Sequence, residues 1–238
     1  MTGQLIAFNR PLPCEQIPYI KLKQRVFSEE FAGQKAFIVG GSRGLGELLA
    51  KILSAGAADV VITYCNGRED AERVVKEITT GEGNAQSIQL DVLNIDGHSV
   101  FPKNWYPTHL YYMATPNIFE GKSGVFSNSL FEKFTNYYVK GFLNCIQAAE
   151  YQKSSIIKVF YPSSIAVTEI PIDMGEYAAA KQAGETLCQF IGKYSKDLKV
   201  YYERLPRLAT DQTATMIPVE NKDPIPFMLA VARRLAGL

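Results

Sequence analysis

Phe37-Ile38-Val39-Gly40-Gly41-Ser42-Arg43-Gly44-Leu45-Gly46 is the stretch on which the fold turns, because it leaves an apolar run and enters a helical pattern within one turn. Gly40, Gly44 and Gly46 lack Cβ atoms, so the backbone can bend sharply, approach a phosphate closely and pack helix on strand. The helix N-terminus behind them offers free N–H groups and a partial positive charge. The spacing G-x-x-x-G-x-G differs from the G-x-G-x-x-G fingerprint. It also differs from G-x-x-x-x-G-K-[ST], since no lysine follows Gly46, which weakens a nucleoside-triphosphatase reading. Glycines alone would fit a plain connecting turn; the strand-turn-helix setting is what gives this one chemical meaning.

Outward from the turn, short β-branched runs alternate with longer stretches of helical spacing, the signature of a parallel sheet covered by helices. The strand candidates are residues 36–39, 60–64, 85–90, 109–114, 156–161 and 199–204. Helix candidates lie at 44–55, 68–79, in a poorly marked stretch after Asn94, and at 125–152, 174–195 and 226–235. Right-handed crossovers then predict an α/β, doubly wound, Rossmann-like parallel sheet of about six strands in the order 3-2-1-4-5-6. Helices cover both faces, and ligands bind at the carboxyl strand ends. Pro11, Pro13 and Pro18 interrupt residues 1–34 before a short helix over 21–31, so 1–34 reads as an N-terminal extension and 35–238 as the main domain.

The 238 residues carry 25 Lys+Arg against 24 Asp+Glu, a net charge of +1. That balance argues against a nucleic-acid or membrane-surface partner recruited by bulk charge. With 47% apolar and 21% charged residues the chain can bury a substantial core. Cys14, Cys65, Cys145 and Cys188 form no C-x-x-C pair, and His98 and His109 lack metal-ligand neighbours, so neither a disulfide framework nor a metal is expected. No apolar run reaches the roughly 18 residues of a membrane helix and the opening lacks a basic leader, so the expected location is the cytoplasm.

A dinucleotide site commonly places an acidic residue about 20 positions beyond the turn, and by counting Asp59 qualifies. Asp59 starts the second strand, however, roughly 16 Å from the end where a ribose would lie. Tyr64 stands at that end, followed by Cys65-Asn66, with no carboxylate among them. Arg43 and Arg68 could bind a 2′-phosphate there, which favours NADP(H) over NAD(H); Arg68 could equally be a solvated surface charge, a reading that fits Arg43 less well because it lies inside the turn.

Tyr177 and Lys181 lie four apart at the start of a helix, on one face. Among 13 tyrosines such a pair arises about once by chance, and Tyr19 with Lys23 is a second case. The weight comes from order: glycine turn, then Ser163-Ser164 closing the fifth strand, then Tyr177. A nearby ammonium and an oxidised nicotinamide would favour the phenolate and suit Tyr177 to acid-base work.

This constellation resembles the short-chain dehydrogenase/reductase family over about residues 35–215. The resemblance assigns Ser164, Tyr177 and Lys181 as catalytic. It assigns Gly40, Ser42, Arg43, Gly44, Leu45 and Gly46 of the turn, with Tyr64, Arg68, Asp91, Val92, Ala114, Thr115, Tyr177, Lys181 and Thr210, to the cofactor. It implies hydride transfer between NADP(H) and a carbonyl, a 3-oxoacyl thioester by analogy with ketoacyl reductases, on a small-molecule or carrier-bound acyl substrate. It also implies a homodimer through the helices beginning near Val125 and Met174, or a neighbouring synthase domain.

The pattern departs at Thr115, where glycine is usual, and at Tyr138, where the relay asparagine is usual. Pro206-Arg207 replaces Pro-Gly, and the chain lacks the family's seventh strand. The exposed sheet edge would then be covered by the extension or by a neighbour. These departures keep open a non-catalytic module that senses NADP(H) or scaffolds a partner. Trp105, Tyr106, Tyr111 and Tyr112 read as packing around the fourth strand rather than as a base-stacking platform. Ser42, Ser163 and Ser164 lack the G-x-S-x-G elbow of serine hydrolases.

Overall fold

A computed structural model describes residues 16–95, 100–151, 156–210 and 221–237. Cys14, Pro11, Pro13, His98 and Gln152 lie outside these residues, as do residues 211–220 and Leu238.

Six strands, β1 (Lys35–Val39), β2 (Asp59–Tyr64), β3 (Asn84–Gln89), β4 (His109–Tyr112), β5 (Ile157–Ser164) and β6 (Leu198–Leu205), form one sheet in the order β3-β2-β1-β4-β5-β6. Every pairing is parallel. The expected doubly wound order is the observed one. Alternate β1 residues serve opposite faces: Ala36 and Ile38 enter one core, Phe37 and Val39 the other. That two-sided burial is why the strand reads as a continuous apolar run.

On one face lie α1 (Tyr19–Lys23), α2 (Gly44–Ala55), α3 (Arg68–Thr80) and α8 (Pro224–Ala236). The other carries α4 (Asn128–Thr135), α5 (Phe142–Tyr151) and α7 (Gly175–Tyr194), with a short α6 (Ala166–Glu169) after β5. The chain leaves β1 toward β2 and leaves β3 toward β4, so the sheet reverses direction beside β1. The glycine turn stands at that reversal, where ligands of such sheets bind.

Four sequence expectations shift. The helix placed over 125–152 divides into α4, a π-helical segment Asn136–Gly141, and α5; such wide turns arise mostly where a helix serves a site. No helix occupies the described residues between β3 and β4. There Phe101 and Trp105 pack on Phe37, with ring centroids 4.7 and 6.3 Å away. The N-terminal helix begins at Tyr19, earlier than expected, because Pro18 supplies its start and Tyr19 is the buried anchor. Finally, residues 16–34 do not line the edge at β6: Tyr19 N donates to Glu77 Oε1 of α3 at 2.7 Å, and Lys51 Nζ of α2 donates to Ile17 O at 3.1 Å.

Candidate active site

The glycine turn is built by its own backbone. Gly40 has φ +82° and a Cβ on it would lie 2.8 Å from the backbone N of Ala114, so the chain passes there only because residue 40 carries no side chain. Gly40 N donates to Thr63 Oγ1 at 3.0 Å and Gly41 N to Thr63 O at 2.9 Å, which ties the turn to β2. Gly44 has φ +58°, and a Cβ on it would face open space. Arg43 occupies the N-cap of α2 without a side-chain cap, leaving first-turn N–H groups without an intrahelical acceptor. Open space above uncapped donors fits a pyrophosphate. Ser42 and Leu45 are half-buried beside it.

Beyond β2 lies an open depression of about 480 Å³ lined by Arg43, Asn66, Gly67, Arg68, Glu69 and Asp70. Both predicted arginines reach it. The carboxylate-free reading of this corner is corrected, because α3 begins at Arg68 and its first acidic residues, Glu69 and Asp70, line the depression. Arg43 Nε stands 3.4 Å from Asp70 Oδ2, and Arg68 Nε is 2.7 Å from Glu72 Oε1. Tyr64 is half-buried at the rim. Asp59 sits at the start of β2, where its carboxylate accepts from Trp105 Nε1 at 2.6 Å and Asn84 Nδ2 at 3.0 Å, far from this corner as strand geometry requires. At the end of β3 the Asp91 carboxylate accepts from Leu93 N at 3.0 Å and Asn94 Nδ2 at 2.7 Å. Val92 is buried, and its carbonyl accepts from Asn144 Nδ2 at 3.0 Å.

Across the reversal, β5 and α7 bring Ser164, Tyr177 and Lys181 together. Tyr177 is buried in the first turn of α7, and burial pushes its phenol up to about 12 while a hydrogen bond with the Ser164 hydroxyl opposes the rise. Ser164 Oγ also accepts from Ala166 N at 3.2 Å, which fixes its rotamer. Lys181 is 5% exposed, and burial brings its ammonium down to about 7, against the pull of Glu185. Lys181 Nζ donates to Pro162 O at 2.7 Å and stands 3.9 Å from the centre of the Tyr138 ring. Burial thus dominates the Tyr177 phenol, and the Lys181 ammonium is directed to the Pro162 carbonyl and the Tyr138 ring.

Two supporting groups escaped the sequence reading. Glu176, 2% exposed, accepts from Ser127 N at 2.5 Å, tying the start of α7 to the start of α4. Glu185, one turn beyond Lys181, accepts from Ser163 Oγ at 2.5 Å and from Arg204 Nε and Nη2, each at 2.7 Å. Glu185 repeats the four-residue step from Tyr177 through Lys181, a ridge visible in the sequence, but Arg204 reaches it only through the β5–β6 pairing. Thr210, half-buried, is the last described residue before 211–220.

No protein-family model matches the chain. A versicolorin reductase of Emericella nidulans is 45% identical over 60 residues, 25% of this chain and 23% of that protein. A 3-oxoacyl-[acyl-carrier-protein] reductase of Synechocystis is 38% identical over 63 residues, 26% of each. The chain thus spans about a quarter of the length of these curated relatives. In fold, a short-chain dehydrogenase of Burkholderia cenocepacia, solved in complex with NADP, superposes with a TM-score of 0.70 at 22% identity, covering 87% of this chain and 91% of that one.

Proposed function

We infer from these likenesses that the chain is a short-chain dehydrogenase/reductase, and from that premise we propose that it reduces a carbonyl with NADPH, using Tyr177 as the general acid. The observation that carries this reading is the meeting of Ser164, Tyr177 and Lys181 across β5 and α7, on the same sheet end as the open glycine turn. The turn's glycines would hold the pyrophosphate, with Arg43 and Arg68 on the 2′-phosphate, Asp91 and Val92 at the adenine, and Ala114, Thr115 and Thr210 along the rest of the cofactor.

Bound there, NADPH supplies the hydride for the carbonyl carbon. Tyr177, protonated at neutral pH, gives its phenolic proton to the substrate oxygen as negative charge grows on it. Ser164 donates to the same oxygen and holds it in line. Lys181 binds the nicotinamide ribose and lowers the cost of the tyrosinate left behind.

The substrate class is a 3-oxoacyl thioester, free or carrier-bound; the name of the Synechocystis relative supports this. Among the described residues no helix is long and apolar enough to cross a membrane, in keeping with action in the cytoplasm on a small molecule. A homodimer through α4, α5 and α7, or a neighbouring synthase domain, would complete the assembly.

Turnover decides the matter. NADPH should be consumed with at least one member of a panel of 3-oxoacyl thioesters and ketones, and NADH much more slowly. A second reading, a non-catalytic NADP(H)-binding module, is favoured by the Tyr138 ring over Lys181 and by Thr115 at the end of β4. It would show as tight NADPH binding without consumption.

A further inference from the structure

Thr115 and Tyr138 lie 23 residues apart in sequence, on the β4–α4 connection and in the π-helical segment, yet their hydroxyls are 2.6 Å apart. The Tyr138 ring is fully buried. It stacks on Phe134 at 5.9 Å and meets Tyr177 edge-on at 5.5 Å. Its face carries the Lys181 ammonium at 3.9 Å, a distance at which a buried ring attracts a cation strongly. Thr115, by contrast, is exposed, and its hydroxyl also donates to Pro116 O at 3.1 Å.

We propose that Thr115 and Tyr138 act as one positioning unit for Lys181: the threonine hydroxyl fixes the aromatic ring, and the ring holds the ammonium against the Pro162 carbonyl. An ammonium has three donors. One is spent on Pro162 and one faces the ring, so a single N–H is left, and its direction is set by the other two. The wide turn at Asn136–Gly141 is what rolls Tyr138 under Lys181. Two residues that look unrelated in the sequence are in this way halves of one device, and neither works without the other. The inference rests on the reading of Lys181 as the cofactor-handling residue.

Several groups face Lys181. They are Tyr138 from the π-helical segment, Tyr161 from β5, and Tyr177, Glu185 and Cys188 from α7, with Arg204 neutralising Glu185.

The test titrates the Lys181 13Cε resonance in lysine-labelled protein, assigned with Lys181→Met, in wild type, Tyr138→Phe, Thr115→Val, the double variant and Thr115→Ser. Releasing the ring admits water to the ammonium, so Tyr138→Phe and Thr115→Val should each raise the midpoint by the same amount, at least about half a pH unit. The double variant should go no further, and Thr115→Ser should restore the wild-type value. NADPH Kd should rise in parallel, about 5-fold in Tyr138→Phe. An unchanged midpoint with only a lower melting temperature would reduce the pair to packing and overturn the proposal, as would additive shifts. The resonance reads the latch even if the wild type turns over no substrate, so failure of the reductase reading and failure of this inference are told apart.

Discussion

Gly46 sits so close to Gly40 that a Cβ added to Gly46 would lie 2.1 Å from the Gly40 carbonyl oxygen, which is backbone and cannot swing aside. Gly46→Ala should therefore push α2 off β1, lower stability in urea unfolding by about 3 kcal/mol and abolish NADPH binding. Gly44→Ala meets open space and bears only the strain of its left-handed backbone, about 1–2 kcal/mol. A Gly46→Ala chain as stable as wild type would contradict the geometry.

Arg43 and Asp70 compete for the corner beyond β2. Arg43→Ala should raise the NADPH Kd about 10-fold while leaving that for NADH within about 2-fold, because only the former carries the 2′-phosphate. Asp70→Asn frees the guanidinium and should tighten NADPH instead. Fluorescence titration of both cofactors checks the pair, and equal losses for NADPH and NADH in Arg43→Ala would remove the arginine from the phosphate.

The pH dependence follows from two buried groups. Tyr177, near 12, keeps its proton throughout the neutral range, whereas Lys181, near 7, loses its charge within it. The kcat/KM for carbonyl reduction should therefore fall above about pH 7, with no acid-side limb from Tyr177. A profile flat from pH 6 to 9 would show that the Lys181 charge plays no part in the step (about one proton's titration is at stake).

Lys51 is 1% exposed on α2 between Glu47 Oε1 at 2.8 Å and Glu77 Oε2 at 2.7 Å, and it also holds the Ile17 carbonyl. Lys51→Met should cost about 3 kcal/mol by removing the buried ammonium that lies between the Glu47 and Glu77 carboxylates, and should loosen residues 16–34 in hydrogen exchange. Burial of Glu47 favours its neutral form, but hydrogen bonds from Arg73 and Lys51 outweigh that and hold the carboxyl below the ordinary range. Its folded value thus lies below its unfolded one, so the stabilisation is present above the ordinary carboxylate range and disappears as pH falls through the folded value. Melting curves below pH about 4.5 should separate wild type from Glu47→Gln less than those at neutral pH.

What the sequence made legible was periodic or local. The β1 run, the turn at Gly40–Gly46 and the strand order all follow from patterns within a few residues, and the rejection of Asp59 needed only strand length. The Ser164–Tyr177–Lys181 set was readable from the order of its members along the chain and the family resemblance that this order carries, since the four-residue spacing by itself is shared by Tyr19 and Lys23. What was not legible depends on contacts between distant segments. Asp70 turns toward Arg43 only because α3 starts at Arg68, and Tyr138 meets Thr115 only because the helix widens at Asn136. Burial of Lys181 depends on aromatic rings from three elements, and no spacing rule anticipates that. The same aromatic packing raises Tyr177 where charge alone would have lowered it.

On the proposed mechanism Tyr177 protonates a carbonyl oxygen while NADPH is consumed. The direct measurement is NADPH absorbance decay with wild type and Tyr177→Phe side by side, against 3-oxoacyl thioesters and simple ketones, with NADPH binding followed in both. Decay is expected in the wild type, with a loss of about 10³-fold or more in Tyr177→Phe and NADPH binding retained in both. Equal decay in both proteins, or no decay in the wild type despite intact NADPH binding, would contradict it.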